Sequence, residues 1–255
     1  LLVVERRADR RQGLVLAPAH VLGQVLDLPL AGDLRGDLLR ADHQLAQVLV
    51  HRDLRQPRVG LLHQLAGEVE HRQGLAAAFA AAARLGIMVK QTSTLEAAGA
   101  DFIVLCTNTM HKVASSIEAA VNIPLLHIAD ATAMAIKQAG FNRVGLLGTK
   151  FTMEQPFYRD YLSEQHGIEV LVPNDAERDS LHQIIYQELC QGIINSESKQ
   201  AVRRMMAGLA WQGVDAIILG CTEIGLLVGK ADAAVPLFDT TLIHARAAVE
   251  LALAS

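Results

Sequence analysis

The chain has 255 residues, 51% of them hydrophobic, a net charge of -4 and three cysteines. That length and apolar content suit a globular protein with a sizeable core, not a disordered chain. No basic stripe points to nucleic acid, no apolar run reaches the roughly 18 residues a membrane span needs, and an odd cysteine count does not suggest a disulfide framework.

The composition has a seam. From Leu1 to about Leu85 there is no Lys, Ile, Ser, Thr, Asn, Tyr, Met or Cys, and all of these return after Ile87. A folded domain draws on those types for caps, turns, strands and surface. The segment LRGDLLRADHQLAQVLVHRDL has weak helical periodicity. Three readings stay open for this stretch: a Leu/Arg-rich helical extension, a linker or targeting segment, or a GC-rich stretch read in a frame never selected as protein. The composition favours the last. Its histidines (His20, His43, His51, His63, His71) lack metal-ligand spacing. The opening LLVVERRADRR has no signal-peptide layout, and reduced thiols fit a cytoplasmic location.

From Thr92 onward strand and helix alternate. LEAAGA ends a helix near Gly99, and DFIVLC is a continuous apolar run, read as a buried parallel strand. SSIEAAVN is helical, IPLLHI a second strand, and ATAMAIKQAG a helix closed by Gly140. RVGLLGT is a strand, and 152–166 reads as one amphipathic helix. IEVLVP is a strand, followed by the helices SLHQIIYQELCQGII and SKQAVRRMMAGLAWQG. DAIILG and VPLFDT are strands, and TLIHARAAVELALA is the last helix. The alternation predicts an α/β fold with a parallel sheet. Cys190, Trp211, Met205 and Met206 read as core.

One unit occurs twice. Gly99-Ala-Asp-Phe-Ile-Val-Leu-Cys-Thr-Asn-Thr aligns without a gap on Gly213-Val-Asp-Ala-Ile-Ile-Leu-Gly-Cys-Thr-Glu. Ile-Pro-Leu-Leu follows the first copy and Val-Pro-Leu-Phe the second, at similar distances. Two similar half-structures with a site at their strand ends are expected, since open α/β sheets bind ligands at the carboxyl ends of their strands. The alignment pairs Thr107, not Cys106, with Cys221. Because strand side chains alternate, Cys106 then points into packing. Cys221 after its glycine is a candidate base or nucleophile whose pKa local dipoles would lower. A lone cysteine at a strand end is otherwise a small buried hydrophobe. Asn108 and Thr109 could bind a carboxylate or amine, or cap the next helix. His111 could orient a neighbour or end a helix. LLGTK is a weak anion-site signal, and there is no P-loop, dinucleotide fingerprint or metal triad.

The stretches LCTNTMHKV, IPLLHIADAT, RVGLLGTKFTMEQPFYRDYL, VPNDAERDSLHQIIYQELCQG, IILGCTEIGLLV and PLFDTTLIHA closely resemble the aspartate/glutamate racemase family, over about residues 93–255. The resemblance implies an α/β fold of two pseudo-symmetric parallel-sheet lobes, with the first lobe incomplete or replaced. It divides the chain into 1–88 as the atypical segment, 89–125 plus 212–255 as the first lobe, and 126–211 as the second. It implies PLP-independent racemisation, with two groups on opposite faces of the substrate α-carbon and no cofactor or metal. Cys221 would be the thiol base and Thr107, standing where the family motif Cys-Asn-Thr-x-His usually has cysteine, its weaker partner, as in the L-aspartate/glutamate-specific branch. Asn108, Thr109 and Thr222 would hold the α-carboxylate and amine. Glu223 would be structural or orienting. Hydantoin racemases, maleate isomerases and arylmalonate decarboxylases carry similar paired motifs. The implied partners are a small amino acid and a second subunit in a homodimer, with no nucleic acid or membrane. Nothing in residues 1–85 matches the family's opening strand and glycine-rich loop, which leaves a catalytically impaired remnant or a ligand-binding α/β module as the alternative.

Overall fold

The computed structural model describes residues 2–4, 86 and 88–254. The expectations for residues 1–88 therefore lie almost wholly outside the described residues. The described residues form two compact units: 104–114 with 125–254, and 2–4 with 86, 88–103 and 115–124.

A helix over 88–97, α1, leads through the turn at Gly99 into β2 (Phe102–Val104). β2 is central in a three-stranded sheet of order β1–β2–β3, with β1 at Leu2–Val4 and β3 at Leu125–Leu126. Phe102, Ile103 and Val104 are all buried, as a strand covered on both faces requires. After the strand comes a 3-10 turn, Thr109–Val113, and the helix read over SSIEAAVN is the short α2 (Ala114–Glu118).

The larger unit is built on a parallel four-stranded sheet of order β5–β4–β6–β7. β4 is Arg143–Leu147, β5 Glu169–Leu171, β6 Ala216–Leu219 and β7 Leu237–Asp239. β4 and β6 lie in register from Val144–Ala216 to Leu147–Leu219, so their carboxyl ends finish together. α3 (Ile128–Gln138), α5 (Pro156–His166), α7 (Ser196–Trp211) and α9 (Thr240–Leu253) are the long helices of this unit, with a single turn of helix, α8 (Ile224–Leu227), between the last two. Residues 212–255 were expected to complete the lobe of 89–125. Instead β6 and β7 extend the sheet of β4 and β5, because Val144 to Leu147 pair with Ala216 to Leu219.

The internal repeat survives at the level of single bonds. Gly99 and Gly213, aligned in sequence, both have positive φ (92° and 82°) before their strands. The Ile103 N–H donates to Pro124 O at 2.8 Å, and its aligned partner Ile217 donates to Pro236 O at 2.9 Å.

Three local expectations are corrected. The single helix over 152–166 is two, α4 (Lys150–Glu154) and α5 (Pro156–His166), with Pro156 in the first turn of α5, where a missing N–H costs nothing. The helix through Cys190 stops at Gln183. α6 (Asp175–Gln183) passes into a π-turn, Ile184–Glu188, and a 3-10 turn, Leu189–Gln191, so Cys190 is half-buried on that turn and not mid-helix. Trp211 is 90% exposed. α7 turns Val202, Met205, Met206 and Leu209 into the core at helical spacing, and Trp211, two residues on from Leu209, falls on the opposite side. Met205 and Met206 are core, as expected.

Candidate active site

The carboxyl ends of β4, β6 and β7 and the turn after β2 carry the candidate residues, all within the larger unit. Gly220 lets the backbones converge there. Its N–H donates to Leu147 O at 2.6 Å, and a Cβ at this position would stand 2.9 Å from Leu146 Cδ1 and 3.1 Å from Leu147 O. Gly148, at the end of β4, faces Gly220 O in the same way, at 3.2 Å from where its Cβ would be.

Cys221 follows, and its thiol donates to Glu223 Oε2 at 2.9 Å; the Thr222 hydroxyl donates to the same oxygen. Local dipoles were expected to lower the Cys221 pKa. The structure does the reverse: burial pushes the thiol well above its ordinary value, and the Glu223 carboxylate raises it further. Cys221 is thus a protonated thiol at rest, hydrogen-bonded to a carboxylate oxygen. Cys190 sits near the same carboxylate and is pushed up to about 11 by burial and by Glu223. Cys106 is partly buried, its sulfur 3.9 Å from Val104 O, and burial raises its pKa too.

Asn108 is joined to the sheet through Thr240. The Thr240 hydroxyl donates to Leu219 O at 2.9 Å, and Asn108 Nδ2 donates to Thr240 Oγ1 at 3.0 Å. A carbonyl can only accept, so the Thr240 proton is committed and Thr240 Oγ1 must accept from Asn108. This fixes the amide orientation and leaves Asn108 Oδ1, buried and without a hydrogen-bond partner, as an acceptor awaiting a donor. The capping reading of Asn108 does not hold, since its side chain makes no cap bond to the turn it precedes.

Thr109 joins a cluster of hydroxyls. Its Oγ1 lies 3.3 Å from both Thr149 Oγ1 and Thr152 Oγ1, which are 3.1 Å from each other. Thr149 and Thr152 are buried and Thr109 is partly open, so Thr109 is the member a ligand reaches. Thr107 is half-buried at the start of the same turn; its N–H donates to Leu105 O and its carbonyl accepts from His111. Among the described residues no cluster of His, Cys, Asp and Glu could hold a metal ion, and no helix is long and apolar enough to cross a membrane.

Four of the sequence-expected residues fall into two groups, and the fifth, Thr107, is held through its backbone by Leu105 and His111. Cys221 and Thr222 meet at Glu223, and Asn108 and Thr109 are fastened by Thr240 and by the Thr149–Thr152 pair. Thr152 and Thr240 were not singled out from sequence, and Thr149 only within LLGTK, a weak anion-site signal. Their signal was a Gly-Thr-x-x-Thr after one strand and an Asp-Thr-Thr after another, motifs too short to read without the sheet that brings them together.

Comparison with known proteins bears on the fold and the family. A structure of an Asp/Glu racemase candidate from Yersinia pestis superposes with a TM-score of 0.67 at 48% identity, covering 82% of this chain and 88% of that one. An aspartate racemase homologue from Pyrococcus horikoshii OT3 gives a TM-score of 0.61 at 39% identity, over 66% of this chain and 74% of that one. The broad specificity amino-acid racemase RacX of Bacillus subtilis (strain 168) is 28% identical over 160 residues, which are 63% of this chain and 68% of the relative. The sequence profile of the Asp/Glu/Hydantoin racemase family matches residues 51–248, so the profile starts some forty residues before the first stretch whose resemblance was legible by eye. The chain belongs to the Asp/Glu/Hydantoin racemase family.

Proposed function

We propose that this protein racemises an acidic amino acid, aspartate or glutamate, by cofactor-independent removal and return of the α-proton, with Cys221 and Thr107 acting on opposite faces. The observation that carries the reading is the Cys221 thiol bonded to Glu223 at the end of β6, beside the one strand-end turn that offers Asn108 and Thr109. Substrate ammonium finds its acceptor in Asn108 Oδ1, the buried oxygen without a partner. Substrate carboxylate is taken by the Thr109 hydroxyl, backed by Thr149 and Thr152, and by Thr222 when its hydroxyl turns from Glu223 to the substrate. In the direction that starts at Cys221, the thiol proton passes to Glu223, the thiolate removes the Cα proton, and the Thr107 hydroxyl gives its proton to the opposite face. Water then reprotonates Thr107, and Glu223 gives its proton to the hydroxide left behind, which restores the resting site. A bound ammonium close to this pair offsets part of the cost of a second negative charge beside Glu223. A hydroxyl is a much weaker acid than a thiol, so the two directions differ in rate, and Thr107 sets the slower one.

The preference for acidic substrates follows the resemblance of the flanking stretches and the names of the Yersinia and Pyrococcus relatives; RacX is named for broad specificity. A panel of L- and D-amino acids in D2O, followed by loss of the α-proton signal, separates the two. Exchange restricted to aspartate and glutamate supports the proposal, and equal exchange of uncharged amino acids contradicts it. In the same proposal the protein is a homodimer of a reducing compartment, since a thiol base is lost on oxidation; mass from light scattering reads the dimer directly.

A further inference from the structure

We infer that His111 is a positioning residue for Thr107, tying the Thr107 carbonyl to the first turn of α3 and so fixing how Thr107 faces the substrate. The inference rests on the racemase reading above for what Thr107 does, and on geometry alone for what His111 does.

His111 is 3% exposed and bonded at both ring nitrogens. The Ile128 N–H donates to Nε2 at 3.1 Å, so Nε2 carries no proton. Nδ1 therefore does, and it donates to Thr107 O at 2.8 Å. Ile128 is the first residue of α3 and Thr107 the last residue before the site turn, so one imidazole links a helix start to the backbone of the candidate acid. The ring itself is held. His127 packs edge-on at 4.4 Å, with Tyr161 stacked on its other side at 4.4 Å and 14°. His244 lies 6.0 Å away and donates through Nε2 to Leu126 O at 2.8 Å. Both nitrogens of His111 being committed, it has no proton to exchange with a substrate. A protonated His111 would also lose the bond from Ile128, and burial next to two further imidazoles opposes that charge. The neutral, Nδ1-protonated ring is thus the form that performs the clamp.

Two substitutions divide the clamp. His111→Asn can place an amide N–H where Nδ1 stands and keeps the bond to Thr107 O while giving up the acceptor for Ile128. His111→Gln can place its carbonyl near Nε2 and keeps Ile128 while giving up Thr107. The full chain and both variants are assayed with L- and D-aspartate and L- and D-glutamate in D2O, scoring racemisation and α-proton exchange separately. His111→Gln is expected to lower the racemisation kcat at least tenfold with KM within about twofold, while Cys221-dependent exchange of one enantiomer persists. His111→Asn is expected to rescue most of the rate. Equal impairment of both variants, or a wild-type rate in His111→Gln, overturns the inference while leaving the racemase reading intact. Should neither variant fold, 15N spectra of histidine in the wild type decide. The inference requires an Nδ1-protonated His111 whose Nδ1 resonance shifts when aspartate or glutamate saturates the site. An Nε2-protonated ring, or a resonance that stays still on saturation, overturns it. Absence of any exchange in the wild type would instead sink the racemase reading, and the tautomer would still be read from the same spectra.

Discussion

At the scale of single residues the Cys221–Glu223 pair makes an unusual demand. Glu223 raises the thiol pKa and is also the group placed to accept the thiol proton. The two effects come apart in Glu223→Gln. Removing the carboxylate charge takes away one of the causes that hold the thiol up, so thiolate absorbance should appear at lower pH than in the wild type. Racemisation should nevertheless fall by about 10²-fold or more, in the range of a lost general acid–base partner. Faster turnover in Glu223→Gln would show that Glu223 only restrains Cys221. The high thiol pKa also predicts that Cys221-dependent exchange climbs with pH across the neutral and alkaline range, since the thiolate fraction rises up to the pKa and not beyond it. Asn108 offers a second test. Thr240→Val keeps the shape of the side chain but removes the oxygen that orients the Asn108 amide. KM for the substrate should rise roughly tenfold, and stability should drop by about 1–3 kcal/mol from the buried groups left unpaired. Titration of substrate binding with denaturant melts on the same sample measures both.

Elements set these residues at their stations. α9 begins at Asp239, whose side chain accepts from the N–H groups of Thr241 and Leu242 at 2.9 and 3.2 Å. That cap holds Thr240 where it meets both Leu219 O and Asn108. Gly225 lies against the cap, for a Cβ there would be 2.9 Å from Asp239 Oδ2. Gly225→Ala should therefore displace the cap, lowering stability by about 1 kcal/mol and weakening substrate binding although residue 225 touches no substrate. Unchanged melting and binding would show that the Asp239 side chain simply turns away. At this scale much was legible in the sequence. Four buried apolar residues in Ala216–Leu219 and the glycines that close the helices announce parallel strands and their connections. What was not legible are the breaks inside helical runs. Pro156 sits at a position that both starts a helix and fits an amphipathic pattern running through it. The π-turn at Ile184–Glu188 has no residue signal of its own, since the hydrophobic spacing of Leu181, Ile184 and Ile185 is that of an ordinary helix. Trp211 was misplaced because residue type was weighed above its position on the helix.

For the whole molecule the repeat explains why candidate site residues could be named before the fold was known. Aligning Gly99–Thr109 with Gly213–Glu223 paired Thr107 with Cys221, and the structure repeats both the positive-φ glycines and the Ile-to-Pro hydrogen bonds in the two copies. The three-dimensional partners Thr149, Thr152 and Thr240 lie outside the repeat and had no such guide. Three buried neutral imidazoles, His111, His127 and His244, also give the larger unit a defined acid limit. Burial lowers the pKa of each, to about 4 for His244. The unfolded chain binds these protons near the ordinary value of about 6.5, before the folded one does, so stability is intact above that pH and declines as pH falls from it towards 4. Melting temperature should drop across that window, and His244→Gln should blunt the drop; a flat profile from pH 7 to pH 4 would contradict the neutral-imidazole assignment.

The most direct test of the central claim is proton NMR of L-aspartate and L-glutamate in D2O with the purified chain, beside Cys221→Ala. The account predicts loss of the α-proton signal with the wild type and a decrease of about 10²–10⁴-fold in that rate with Cys221→Ala, the range typical of a positioned acid or base. Exchange that proceeds equally in Cys221→Ala, or no exchange at all from a folded wild-type sample, would contradict it.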